Sequence, residues 1–560
     1  MASNRRQVLE RSRGVAALAL AGAVLGPAAV ACGPAQGQPG TSGAGTAPGQ
    51  PAAGQAVKGG TFTIGTFADA ATMQPLLAQD TASTAYVGLH YNAPLWRRNE
   101  DTLDIDTKYG TAQSYTVSPD SLTLTFKMKP NVLWSDGKPI TAQDYKFTFD
   151  KMMDPNVDFP YKSLYRPFES VAAPDDTTVV IKLREPFCPA IDYTSFDPIP
   201  KHVFESLDLN DNPFNQKPVV GSGPWLLQDW RKDTEAVFVA NDKFYLGRPN
   251  LDRYVYRVVK DATVAYSMLK TGEVDQASIQ AIDWDDAKRQ QNLQLFNYYP
   301  VSANWTFIGH NMRSDLLKDT RVRQALALAM DRKKFIDAIR LGHAKPINSI
   351  YASASWAYSD DVPKYDYDVA KAKSLLDAAG WRAPANDPNG TRVKDGKPMK
   401  MRIFYNAGNK EREQLATIAQ QYAKGVGVEL EVISEEWNAY LNRVNKTRDM
   451  EMYVLGWSSA IEPHGSQNIW ITEGAQNSSG FSNPQVDEQF PKAASVAGCS
   501  QADRKKVYAE IQKLISADPP YIFMWENESL SGLNNRFVPN KQTSLGYGYR
   551  PWEWYSKTGK

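Results

Sequence analysis

An α/β fold in more than one lobe is what this sequence predicts, and three observations carry that expectation. A half-buried strand, a tight turn and a capped helix follow one another within about thirty residues after Leu122. A strand, a helix and a second strand alternate between Lys400 and Val432, the pattern of a β-α-β unit. The chain has 560 residues, more than one core accommodates, so two or three lobes are expected.

The elements are legible in order. Gly60 to Gly65 alternates and reads as a first strand. Leu122, Leu124, Phe126 and Met128 alternate with Thr123, Thr125, Lys127 and Lys129, giving one apolar and one polar face. This strand runs on through Val132 and Trp134 to a turn at Asp136-Gly137. Thr141 with Asp144 three residues later predicts a capping box, and Tyr145, Phe149 and Met152 mark the buried helix face. Further on, Asp319 opens a helix whose stripe is Val322, Ala325, Leu326 and Ala329. Asp331 caps another, with Phe335, Ile336 and Ile339 inside and Gly342 as the stop. Asp368 caps a third, with Ala372, Leu375, Leu376 and Ala379 on one face and Gly380 closing it. Lys400–Tyr405 and Val428–Val432 read as strands flanking a helix over Glu411–Lys424. No short internal repeat is visible.

The N-terminus reads as an export signal. Arg5, Arg6, Arg11 and Arg13 precede an uncharged apolar run from Val15 to Val30, and Ala29-Val30-Ala31 sets small residues before Cys32. The run is short and Pro27 interrupts it, so a secretory signal is expected rather than a membrane span. A cysteine at the cleavage point suggests a lipoprotein with Cys32 as the acylated first residue; the other reading is a secreted protein with an incidental Cys32. Ala29 stands where Leu is usual. Arg5-Arg6-Gln7-Val8-Leu9 also resembles a twin-arginine signal, with Glu10 where Lys is common. Residues 33–56 are almost wholly Gly, Pro, Ala, Gln, Ser and Thr, a composition expected to stay disordered. Such a tether reaches roughly 25–30 Å, enough to hold a domain clear of a lipid surface.

Composition narrows the function classes. A formal net charge of +1 gives no electrostatic argument for nucleic acid. Cys188 and Cys499, the cysteines beyond Cys32, are expected either to form one disulfide or to stand as two buried thiols. The 14 Trp and 27 Tyr suit a binding cleft as well as a large core. The five His residues (His90, His202, His310, His343, His464) are scattered, with no His-Glu-x-x-His motif. No Gly-x-Ser-x-Gly elbow or β-lactamase set is present, so an enzyme is not expected, and neither are a cofactor or a metal. A secreted hydrolase is the rival class.

Four segments, in order, resemble the bacterial extracellular solute-binding proteins of family 5, the oligopeptide, dipeptide and nickel-binding type that feeds ABC importers. They are Leu122 to Asp144; Gly221-Ser-Gly-Pro-Trp225 with Asn241 to Pro249 and Gly272 to Asp275; Arg321 to Arg332 with Tyr367 to Trp381; and Gly456-Trp-Ser-Ser with Asn477 to Asp487. The resemblance implies a two-lobed periplasmic-binding-protein fold with an extra β-rich subdomain and a two-segment hinge. On that reading residues 57–99, 212–297 and 525–560 form lobe I, 100–211 the extra subdomain II and 298–524 lobe III, with crossings near 297 and 525. Most of the quoted motifs are structural in the family: Gly221 and Gly223 turn the chain, Asp144 caps a helix and Arg321 anchors a helix start.

The resemblance implies a substrate-binding component that captures an oligopeptide or oligosaccharide by hinge closure and passes it to ABC permease and ATPase subunits. It would act as a monomer, lipid-anchored through Cys32 on the outer face of the cytoplasmic membrane or in the periplasm. A solute sensor of the same fold is the alternative. Trp437 and Trp457 match family positions that line the cleft, with Ser458 beside the second. Trp305 lies just past the first crossing, and Trp470 and Asn477 follow the Trp457 turn. Peptide-binding members carry an Asp three residues past the cleft Trp, where it pairs with the peptide ammonium; here that place is Ala460, with Glu462 nearby as a substitute if the turn is reshaped. Nickel or haem is a third ligand class, kept open only by His464, read as an exposed loop residue.

Overall fold

The computed structural model describes residues 57–388 and 390–559, with Trp437 and Asn438 described in the backbone only. The signal, the tether and Cys32 lie outside the described residues.

Three sheets organise the chain. A seven-stranded sheet runs in the order Leu293–Tyr298, Ser529–Asn534, Gln276–Ser278, Thr61–Thr66, Arg253–Val258, Glu235–Ala240 and Trp225–Arg231. A six-stranded sheet runs Ala344–Pro346, Tyr521–Asn527, Asn304–His310, Met452–Ser458, Lys400–Asn406 and Glu429–Glu435. A four-stranded antiparallel sheet, Ala112–Val117, Thr123–Met128, Thr178–Leu183 and Phe168–Asp175, belongs to a separate β-rich part. Each sheet packs on its own apolar cluster, around Phe62 and Trp225, around Phe335 and Leu376, and around Trp134 and Phe126 respectively.

Local chemistry accounts for the helices. Ala142–Met153 starts on the expected capping box, where the Asp144 carboxylate accepts from the Thr141 backbone N–H at 2.9 Å. Its other oxygen accepts from the Lys201 N–H at 3.0 Å, so this one acid ties two segments together. Asp319 and Asp368 cap Thr320–Leu328 and Val369–Ala378 as expected. Arg321 donates to Asp319 and to the Ala378 carbonyl, clamping those helices. The segment after Asp331 differs: four α-helical residues pass into a π turn at Ile336–Arg340, and Leu341, at φ 48°, ends it before Gly342. Ile339 is therefore only partly buried.

Gly221 and Gly223 are required by close approach. A Cβ on Gly223 would stand 2.0 Å from the Leu89 carbonyl oxygen, and one on Gly221 2.5 Å from that of His90. Neither glycine has a positive φ.

The backbone passes between the two large sheets twice. It leaves the seven-stranded sheet at Tyr298 and enters the six-stranded one at Asn304; it returns between Asn527 and Ser529. Both points fall a few residues later than the expected 297 and 525, because Trp525 and Glu526 are still paired in the Tyr521–Asn527 strand, opposite Thr306 and Trp305. Cys188 and Cys499 are joined in a disulfide, with Cα atoms 5.2 Å apart. No helix among the described residues is long and apolar enough to cross a membrane.

Candidate functional site

The strand directions place a cleft. In the seven-stranded sheet, Thr61–Thr66, Arg253–Val258 and Gln276–Ser278 are parallel, so Thr66, Val258 and Ser278 share one end. Tyr298 and Ser529, where the chain crosses, lie at that end too. In the six-stranded sheet Lys400–Asn406 is parallel to both Glu429–Glu435 and Met452–Ser458, which brings Asn406, Glu435 and Ser458 to one end. Asn304 pairs with Ser458 and Trp305 with Glu526, so the crossings again mark that end. The carboxyl ends of two sets of parallel strands thus meet at the crossings, the place where open α/β sheets hold ligands.

On the seven-stranded side, the segments that follow these strand ends carry exposed apolar side chains: Phe67 (75% exposed), Ile282 (72%) in the 3₁₀ turn Ala281–Asp283 and Val264 (49%) in the first turn of the helix Ala262–Thr271. On the six-stranded side a small recess of about 20 Å³ lies between Trp305, Trp457, Trp470 and the 458–466 turn, with Tyr351 also lining it. The Ser459 hydroxyl and the Trp470 indole N–H around it are buried without a hydrogen-bond partner. Ser458 lines the recess with its hydroxyl on the Asn304 side-chain oxygen.

The structure therefore gathers four of the six sequence-chosen residues: Trp305, Trp457, Ser458 and Trp470. It also revises what they do. Trp305 and Trp470 are fully buried and stack on each other at 6.5 Å, 13° from parallel. The Trp457 indole donates to the Tyr521 hydroxyl at 3.3 Å. These indoles form the floor of the recess rather than free-standing platforms. Asn477 lies elsewhere: its amide donates to the Phe481 and Ile471 carbonyls at 2.7 and 3.0 Å, which holds a turn. The Trp437 side chain is outside the described residues, although its backbone starts a helix just past the Glu429–Glu435 strand. Glu435 beside it is engaged by Arg443 in a two-pronged ion pair.

Two further expectations change. Glu462 is buried, and both its oxygens accept from Arg504, at 2.5 and 3.0 Å. It also accepts from the His464 backbone N–H at 3.0 Å. It is committed to the turn and does not replace the missing Asp at Ala460. His464 is buried rather than exposed; burial holds its imidazole down at about 4, and the Phe187 ring packs on it at 5.3 Å. Among the described residues no three His, Cys, Asp or Glu side chains converge as a metal site requires. Sequence reasoning missed Ser459, Tyr351 and the apolar segments past the strand ends at Phe67 and Ile282. For Ser459 a signal existed, since it is the last residue of the Gly456-Trp-Ser-Ser motif that carries Trp457.

Two α/β lobes, an extra β-rich part and facing strand ends around an aromatic recess define the class of two-lobed solute-binding proteins. Residues 106–479 match the family described as bacterial extracellular solute-binding proteins, family 5 Middle, and the chain belongs to that family. It is 30% identical over 517 residues to the oligopeptide-binding protein AppA of Bacillus subtilis, covering 89% of this chain and 91% of that protein. The structure of that AppA in complex with a nonapeptide superposes with a TM-score of 0.79 at 28% identity, covering 90% of this chain and all of that one. NikZ from Campylobacter jejuni, in complex with Ni(L-His), gives 0.79 at 25% identity over 89% of this chain and 99% of its own.

Proposed function

We propose that this protein is the extracytoplasmic substrate-binding component of an ABC importer and that its solute is peptide-like, held without a carboxylate partner for a free amino terminus. The observation that carries this reading is Ala460 on the recess wall, with Glu462, the nearest acid of the turn, locked to Arg504. A peptide ammonium desolvated there would lack a charged partner, a loss of roughly 2–5 kcal/mol. The buried Ser459 hydroxyl and Trp470 N–H are donors suited to a carbonyl or hydroxyl oxygen. The exposed Phe67, Val264 and Ile282 suit apolar side chains of the solute. The peptide ligand of AppA supports the peptide class.

On this reading residues 57–99, 212–297 and 525–560 move as one lobe with subdomain 100–211, and 298–524 as the other, the boundaries adjusted to the crossings at 299–303 and 528. Lipid at Cys32 would anchor the monomer outside the cytoplasmic membrane, where permease and ATPase subunits receive the solute. Trp305, Trp457, Ser458 and Trp470 form the proposed contact surface, and Trp437 remains a proposed contact on sequence grounds. The test is native mass spectrometry of the purified protein, with release and identification of any bound mass. A ladder of peptide masses is the expected result; a hexose or pentose ladder would replace peptide with oligosaccharide.

A further inference from the structure

The two backbone crossings join the two large sheets, and the six-stranded lobe is tied separately to the β-rich part. Cys188 begins the 3₁₀ turn Cys188–Thr194, which follows the four-stranded sheet. Cys499 lies in the bend between the helices Pro484–Ala494 and Gln501–Ala517 of the other lobe, where Gly498 and Cys499 both adopt positive φ, 71° and 52°. The disulfide closes a loop of 311 residues. Around it the two parts are in intimate contact. Ile461 and Ala494 belong to the same apolar cluster as Phe187 and Tyr193. A Cβ on Gly465 would lie 4.0 Å from the Tyr193 hydroxyl. The turn that walls the recess thus packs against the β-rich part, and the disulfide ties the same two parts together.

Two neighbouring crossings permit rotation about the line that joins them, which is how a hinged cleft opens. A third covalent tie removes that freedom. Given the hinged-cleft reading above, we propose that the Cys188–Cys499 disulfide is a covalent latch across the mouth of the cleft, restricting its opening until the bond is reduced. The reductant would be a dithiol: two electrons and two protons pass to the bridge, the S–S bond breaks, both cysteines leave as thiols and the dithiol closes to its own disulfide. Cys499 is half-buried and Cys188 buried, so attack is expected at the Cys499 sulfur. In the oxidised state, solute exchange would proceed only through the restricted opening.

The test needs no ligand. The full chain is purified in air, its free thiols are counted by alkylation and mass, and its radius of gyration is measured by small-angle scattering before and after dithiothreitol. A C188S/C499S variant is measured alongside, with amide exchange followed across residues 459–466. The latch predicts bonded cysteines, a larger radius in both the reduced protein and the variant, and amide exchange at 459–466 faster by about tenfold or more, with circular dichroism unchanged. Free thiols at both positions in the air-purified protein would overturn it. So would a radius and exchange pattern indifferent to reduction, or global unfolding on reduction, which would make the bond a staple of the fold. If the variant fails to fold, the reduced wild type carries the comparison. Failure of every solute to bind would defeat the proposed function and leave these readouts standing.

Discussion

Replacing Arg504 by Met tests what shapes the recess. Arg504 is fully buried, and its guanidinium donates twice to Glu462, once to the Ala493 carbonyl at 2.9 Å and once to the Tyr508 hydroxyl at 3.0 Å. It also lies 5.1 Å from the centre of the Trp356 ring. Met fills much of the volume but leaves Glu462 as an uncompensated buried charge. Breaking such a pair from one side costs about 3–5 kcal/mol, because the carboxylate cannot regain water. Urea unfolding followed by tryptophan fluorescence measures the loss. The double variant E462M/R504M removes both charges and is expected to recover most of it, since an apolar pair of similar size often matches a buried ion pair. A single-variant loss under about 1 kcal/mol, or a double variant no better than the single, would refute the view that this pair fixes the turn.

Other outcomes follow from the same kind of reasoning. His90 is buried, its Nδ1 accepts from the Leu227 N–H at 3.0 Å, and its Nε2 faces the Val220 carbonyl at 3.2 Å, so the neutral ring is required and burial lowers its pKa to about 4. The unfolded chain takes up that proton near 6.5, so stability is complete above that pH and falls as the pH drops through about 4, by roughly 3 kcal/mol for this group. Melting temperatures from pH 7 to pH 4 should show a decline that H90Q lessens. Gly223→Ala drives a Cβ into the Leu89 carbonyl and should abolish soluble expression. Gly88→Ala, in the helix Thr81–His90 with nothing within 4 Å of the new methyl, should be neutral or stabilising by about 0.5–1 kcal/mol in thermal unfolding.

How much of this was legible in the sequence depends on the range of the interactions. Capping acids such as Asp319, Asp368 and Asp144 act within three residues, so their helices were readable from local pattern. The Leu124, Phe126, Met128 alternation likewise faces the core as written. The register of Trp525 with Thr306 spans more than two hundred residues, and no local signal distinguishes a crossing at 525 from one at 528. The same applies to the site. Trp457 was selected by its family position, Trp305 by its place past the first crossing and Trp470 by its place after the Trp457 turn, yet whether an indole is floor or platform depends on partners such as Tyr521 that arrive from elsewhere in the chain. Glu462 was a candidate substitute because it stands two residues past Ala460; its partner Arg504 stands forty-two residues further on. The choice between a disulfide and two thiols was closed only by the fold.

The most direct measurement is calorimetric titration of the full chain with matched peptides, free and N-acetylated, chosen from whatever sequence copurifies. With Ala460 where an ammonium partner would stand, the account predicts dissociation constants within about threefold of each other, a difference under 1 kcal/mol. A loss of about a hundredfold or more on acetylation would show that a carboxylate does hold the amino terminus, and would contradict the reading of the recess.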